Sequence, residues 1–166
     1  MKRYLCVFVC LLAAAAIATG QNCSGLSNSH LAGTYAMYGS GYIDLSKLLP
    51  GVPGMPAGMI PMTWVGAHTY DGSGSGTGWV TLNAGGMRMD AQFASLSYSV
   101  QPDCSIQISF SMKIKQLGIT IGPFPRLGVV ARKGDTLEIH FILAPPPGEA
   151  GAGLDLGTAV RISMQY

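Results

Sequence analysis

The sequence predicts an all-β protein, an antiparallel meander of about eight strands closed into a barrel, and three observations predict it. Beyond the first twenty residues no helical period of any length appears. Apolar and polar residues instead alternate at period two, most strictly where Ile106, Ile108, Phe110, Met112 and Ile114 interleave with Gln107, Ser109, Ser111, Lys113 and Lys115. Turn signals then separate the runs: "DGSGSGTG", "AGG" at 84–86, "QPD" at 101–103 and "RKGD" at 132–135. Few segments are long enough for a crossover, so strands pair with their sequence neighbours, and a barrel is favoured over a sandwich because closure leaves no exposed edge. An interior of that size is filled by side chains or holds one small ligand.

The chain opens with Met1-Lys2-Arg3 and an apolar run from Tyr4 to Ala18, then the small residues Ala18 and Gly20. This is the pattern of a secretory signal peptide over residues 1–20, and the run is shorter than the ~20 residues a spanning helix needs. Residues 21–166 are then a single barrel domain, secreted or held in the lumen of the secretory pathway, with no membrane span. Without Lys2 and Arg3 eight basic residues face eight acidic ones, a balance that offers no cluster to bind nucleic acid. Cys6 and Cys10 leave with the signal, and Cys23 and Cys104 remain, an even number in an oxidising compartment. One disulfide is expected, closing a loop of about 80 residues and adding roughly 4 kcal/mol on the chain-entropy model. A metal pair is the alternative, but no His or Cys stands at ligand spacing from either, and no metal or cofactor is expected. Asn22-Cys23-Ser24 also matches a glycosylation acceptor.

Less regular alternation assigns strands to 33–44, 62–70, 79–84, 87–100 and 126–132, and "TLEIHFILA" alternates through Leu137, Ile139, Phe141 and Leu143. Within 87–100 the apolar phase slips from Met87, Met89 and Phe93 to Leu96, Tyr98 and Val100, which predicts a bulge. The final strand is read with Val160, Ile162, Met164 and Tyr166 on its apolar face, opposed by Arg161, Ser163 and Gln165. The segment "APPPGEAGAG" at 144–153 reads as a connector.

The run "GSGSGTG" at 72–78 invites comparison with phosphate-binding loops. A P-loop needs Lys-Ser/Thr after its second glycine and a helix beyond, and a dinucleotide fingerprint needs G-x-G-x-x-G between strand and helix. Here the spacing is G-x-G-x-G-x-G and "WVTLNA", a strand, follows, so the glycines join a hairpin. A second unusual stretch, "LSKLLPGVPGMPAGMIPM" at 45–62, sets prolines at three-residue spacing among Met55, Met59 and other apolar residues. It is a Pro/Gly/Met-rich loop near one barrel end: either a lid whose soft methionines fit an apolar ligand, or a loop packed permanently on the barrel.

Polar chemistry is sparse. His140 points outward with Glu138, while His68 shares its strand's even-numbered set with Trp64, Gly66 and Tyr70, which lines the interior as a structural or a catalytic histidine. Tyr35 and Asp90 complete the catalytic candidates, Asp90 with its direction left open by the bulge. Tyr35, Tyr38, Trp64, His68, Trp79, Met55 and Met59 are the candidate ligand-binding residues, aromatic or soft surface that serves equally as barrel core. No nucleophile elbow, zincin helix or reactive cysteine is present.

The order "LAGTYAMYGSG" (31–41), "YDGSGSGTGWV" (70–80), "VQPDCSIQISF" (100–110) resembles that of small secreted microbial barrel proteins, similar in architecture to calycin and allene-oxide-cyclase-type barrels. The resemblance implies an eight-stranded barrel with an apolar cavity, whose members carry lipophilic molecules or steer cyclisation of bound intermediates without a cofactor. No allene-oxide-cyclase catalytic motif occurs here, so no catalytic residue carries over. Two functions follow. One is an apolar-ligand barrel, extended to a cyclase or isomerase that shapes a polyketide- or terpenoid-like intermediate by orientation and exclusion of water. The other is a non-catalytic protein, either a lipocalin-like carrier or a filled barrel that acts through its surface.

Overall fold

A computed structural model describes residues 25–133, 136–143 and 153–163. The signal-peptide reading, the Asn22 acceptor, Cys23, most of the 144–153 connector, Met164 and Tyr166 lie outside the described residues. Eight strands form one closed antiparallel barrel in sequence order: β1 (Gly33–Ile43), β2 (Ile60–Tyr70), β3 (Gly76–Ala84), β4 (Met87–Val100), β5 (Ser105–Ile114), β6 (Thr120–Lys133), β7 (Thr136–Leu143) and β8 (Gly153–Ser163). β8 pairs back on β1, from Thr34↔Ser163 to Ile43↔Gly153, so no strand edge is left unpaired. Among the described residues no helix is long and apolar enough to cross a membrane.

The alternation read along β5 is the alternation found, with Ile106, Ile108, Phe110, Met112 and Ile114 buried and Gln107 and Lys113 exposed. The phase slip in β4 is also real. Its register against β5 shifts between Phe93 and Ser95, which returns Leu96 and Tyr98 to the interior. β6 begins at Thr120, earlier than the alternation suggested, and includes Pro123 and Pro125. Prolines argue against a paired strand; the β5–β6 register shifts between Phe110 and Met112, which takes Pro123 out of the ladder, while Pro125 stands in register opposite Ser109.

β8 corrects the sequence reading of its face. Asp155 and Ala159 are buried, while Leu156 and Ile162 are 62 % and 64 % exposed. The apolar side of this strand faces out and its small and charged side faces in. The reason lies across the barrel, where large rings from other strands already occupy the space in front of β8.

The glycine run between β2 and β3 divides into two jobs. Gly72 and Gly74 have φ of 81° and 113° and turn the chain. Asp71 fastens that turn by accepting from the backbone N–H groups of Ser73, Gly74 and Ser75 and from the Ser73 hydroxyl, and these bonds hold its carboxyl down at about 2. Gly76 and Gly78 lie within β3, where a Cβ would stand 2.9 Å from Leu96 Cδ2 and 2.8 Å from the Phe93 ring respectively. Their missing side chains are room for the β4 side chains that fill this part of the barrel. The next hairpin is tighter: Gly85 and Gly86, both at positive φ, are the two central residues between the paired Ala84 and Met87.

Both barrel ends are covered. A 3-10 turn over Asn28–Leu31 buries Leu31 and ties into β4, since Asn28 Oδ1 accepts from Val100 N and its carbonyl accepts from the Tyr98 hydroxyl. At the other end a one-turn helix, α1 (Leu45–Leu48), is capped by Asp44, which accepts from Ser46 N and Lys47 N. Leu45 and Leu49 are fully buried there, and Val52 and Met55 pack partly against the core.

Candidate functional site

The site is built on the inner face of β2, the row Trp64, Gly66, His68 and Tyr70, of which all four are buried. The Trp64 indole can lie flat because two glycines face it. A Cβ on Gly39 of β1 would stand 2.2 Å from Trp64 Cζ2, and one on Gly157 of β8 would stand 2.5 Å from both Cζ2 and Cη2. The ring stacks against Phe141 at 5.7 Å between centroids and 15° between planes.

Beside that stack lies a charge. Arg126, on β6, is 8 % exposed and donates through Nη2 to Asp155 Oδ2 at 2.6 Å, with Asp155 itself 2 % exposed. Three aromatic rings surround the guanidinium, Phe141 at 4.6 Å, Phe110 at 4.8 Å and Trp64 at 4.9 Å. Burial pulls the pKa of Arg126 below its ordinary value, and the Asp155 charge pulls it back up. A buried ion pair of this kind gains little net stability over an apolar pair, but removing one partner strands the other charge.

Toward the other end of the β2 row the polar groups are neutral. His68 is fully buried, its Nδ1 is 2.9 Å from the Tyr70 hydroxyl, and its pKa is lowered to about 3, by burial first and by the Arg126 charge second. Burial also pushes the Tyr70 phenol well above its ordinary value. With both groups neutral the phenol is the stronger acid, so it is assigned as donor to Nδ1, which leaves the imidazole proton on Nε2. Phe93 packs edge-on to His68 at 4.8 Å and continues to Phe110 at 5.2 Å, linking the histidine to the Arg126 cage. Tyr70 is flanked by Tyr98 at 4.6 Å and Tyr35 at 5.3 Å. Arg161 of β8 then donates to the Tyr35 hydroxyl and the His30 carbonyl, closing this end with a cation that reaches the surface.

Among the described residues three buried polar side-chain atoms of this interior have no hydrogen-bond partner: Trp64 Nε1, His68 Nε2 and Arg126 Nε. Each buried donor left open costs about 1–3 kcal/mol. Native cores hold few such groups, and three along one connected set of side chains is the distinctive chemistry of this molecule.

The sequence candidates separate on the two faces of the wall. Tyr35, Trp64 and His68 come together inside, while Tyr38 and Trp79 stand on the outer wall at 58 % and 48 % exposed. Asp90 is also on the outer face, held by Thr81 Oγ1 at 2.6 Å and by Arg88 and Gln116. Met55 lies partly against the core, and Met59 is 52 % exposed. Arg126, Asp155 and Arg161 were not singled out by sequence reasoning. A signal existed for two of them: Arg126 is the lone charge in "PFPRLGVVA", and Asp155 alternates with Gly153 and Gly157 on a strand.

The outer wall has a feature of its own. Where β6, β7, β8 and β1 cross, an open trench of about 700 Å³ is lined by Leu127, Val129, Ile142, Leu156 and Tyr38, with His140 and Thr158 among them. All five of the large side chains are exposed. The outer faces of β4 and β5 carry Gln92, Ser97, Gln107 and Lys113 instead. Among the described residues no group of three or more His, Cys, Asp or Glu is placed to hold a metal ion. Compared with protein-family models, with curated proteins and with solved structures, the chain matches none.

Proposed function

We propose that the protein is a binding barrel of the secretory route, secreted or resident in the lumen, that takes one small, predominantly apolar molecule into its interior. The observation that supports this reading is the set of three unpartnered buried polar atoms among stacked rings. A site for a small molecule is mostly apolar with a few convergent polar groups that fix orientation, and this interior has that composition. Cys104, buried at the β4–β5 turn, is proposed to pair with Cys23. A cyclase or isomerase step is a finer reading of the same site. With His68 neutral and Tyr70 a phenol, these groups polarise and position rather than abstract protons, so such a step would run on orientation and exclusion of water. Fractionated apolar extracts of the producing organism test binding directly. A fraction holding the ligand at about 100 times its Kd adds about 2.7 kcal/mol of stability, read as a raised Tm. No shift with any fraction contradicts the reading.

The exposed apolar trench favours a second reading, a protein that acts through its outer wall. Leu156→Asp would abolish such an interaction and leave ligand stabilisation of the interior intact. A Leu156→Asp protein that loses ligand stabilisation while still folded contradicts the separation of the two faces.

A further inference from the structure

Resting on the binding reading above, we propose that the ligand is a neutral carbonyl compound, a ketone, quinone or ester on a flat apolar frame, whose oxygen accepts from Trp64 Nε1–H and Arg126 Nε–H.

The argument is one of matching. Two of the open atoms, the indole and guanidinium nitrogens, can only donate, and His68 Nε2 carries a proton in the tautomer assigned above. A ligand that brings a further donor leaves them unsatisfied, and a cation is repelled by Arg126. An anion is disfavoured for a different reason: the Arg126 charge is already met by Asp155 at 2.6 Å, so a second carboxylate would be buried beside the first without a free counter-charge. A hydroxyl accepts but brings its own O–H into an interior lined by Phe93, Phe110 and Phe141. A carbonyl oxygen has two lone pairs and no proton, so it answers the Trp64 and Arg126 donors and adds no donor of its own. Met37 Cε, 2.6 Å from where a Cβ of Gly66 would be, fills the row between Trp64 and His68, and its flexible side chain is the one that would move aside for the ligand.

Three probes of one shape separate the possibilities: methyl naphthyl ketone, isopropenylnaphthalene, in which CH2 replaces the oxygen, and naphthoate. Affinities for the intact mature protein are measured alongside the two indole N–H signals of Trp64 and Trp79 in ¹H–¹⁵N spectra, with Trp64→Phe assigning them. The ketone should bind about ten- to a hundred-fold tighter than either analogue, the difference expected for two buried hydrogen bonds. It alone should move the Trp64 indole signal downfield, with Trp79 unmoved. Trp64→Phe, which keeps a ring in place, should reduce the ketone's preference, and Arg126→Lys, which keeps the charge facing Asp155, should do the same. Equal binding of ketone and hydrocarbon overturns the carbonyl assignment and leaves the binding reading standing, as does tightest binding of naphthoate. Failure of all three to bind overturns both.

Discussion

Arg126 and Asp155 meet at 2.6 Å although their strands are not neighbours: β7 runs between β6 and β8, and the ion pair passes beneath its Phe141, whose ring lies 4.6 Å from the guanidinium. The pair therefore braces three strands at the point where the interior is otherwise aromatic.

Removing one partner should show it. Asp155→Ala strands a buried guanidinium and should cost about 3–5 kcal/mol in urea denaturation, whereas Arg126→Met with Asp155→Leu should recover most of that loss. A single variant as stable as the wild type would mean that Arg126 escapes to solvent and that the cage does not hold it.

Gly157 and Trp64 should be energetically coupled. A methyl group at Gly157 would stand 2.5 Å from the indole and 2.6 Å from the Phe141 ring, so Gly157→Ala should cost roughly 1–3 kcal/mol as overpacking. In a Trp64→Leu background the same change should cost less, a coupling that a double-mutant cycle measures. Additive losses would contradict the placement of the indole over β8.

His68 sets a pH dependence. Its folded pKa, about 3, lies below its ordinary 6.5, so the unfolded chain binds a proton that the folded one refuses. Stability is then fully present above about pH 6.5 and falls as pH drops toward 3, with a slope of up to roughly 1.4 kcal/mol per unit from this group. Asp44, Asp71, Asp90 and Asp103 are all lowered by hydrogen bonds to neighbouring groups, with a serine or threonine hydroxyl first in each case. Their contribution has the same sign but is lost only below about pH 4. Between pH 6 and 4.5 the His68 ring signals of the folded protein should therefore stay fixed while its unfolding free energy declines. A His68 ring that titrates above pH 5 in the folded state would contradict its burial.

The proposed Cys23–Cys104 bridge predicts that neither thiol alkylates in unfolded, unreduced protein and that reduction lowers stability by roughly 4 kcal/mol on the chain-entropy model. Alkylation of either cysteine before reduction would refute it.

The fold was legible because period-two alternation and turn chemistry are local, and β5 shows both without interruption. The phase of β8 was not, because facing is decided by what the opposite wall supplies. Trp64 and Phe141 fill the space before Gly157, so the strand's apolar side is left outside and a hydrophobicity pattern alone reads it backwards. The site was half legible for the same reason. His68, Trp64 and Tyr35 share the inner phase of strands β1 and β2, but Arg126 and Asp155 are paired across an intervening strand, a relation that no local spacing encodes. Asp90 was left undecided by the bulge and proved to face Thr81 and Arg88 on the outside.

The central claim is that this interior holds a small molecule. Native mass spectrometry of the mature protein from its producing organism, followed by denaturing extraction, tests it most directly. The account predicts one apolar passenger per barrel, at lower occupancy in Trp64→Phe or Arg126→Lys protein prepared in parallel. A wild-type barrel that carries no passenger, and acquires none from the organism's apolar extract, would contradict it.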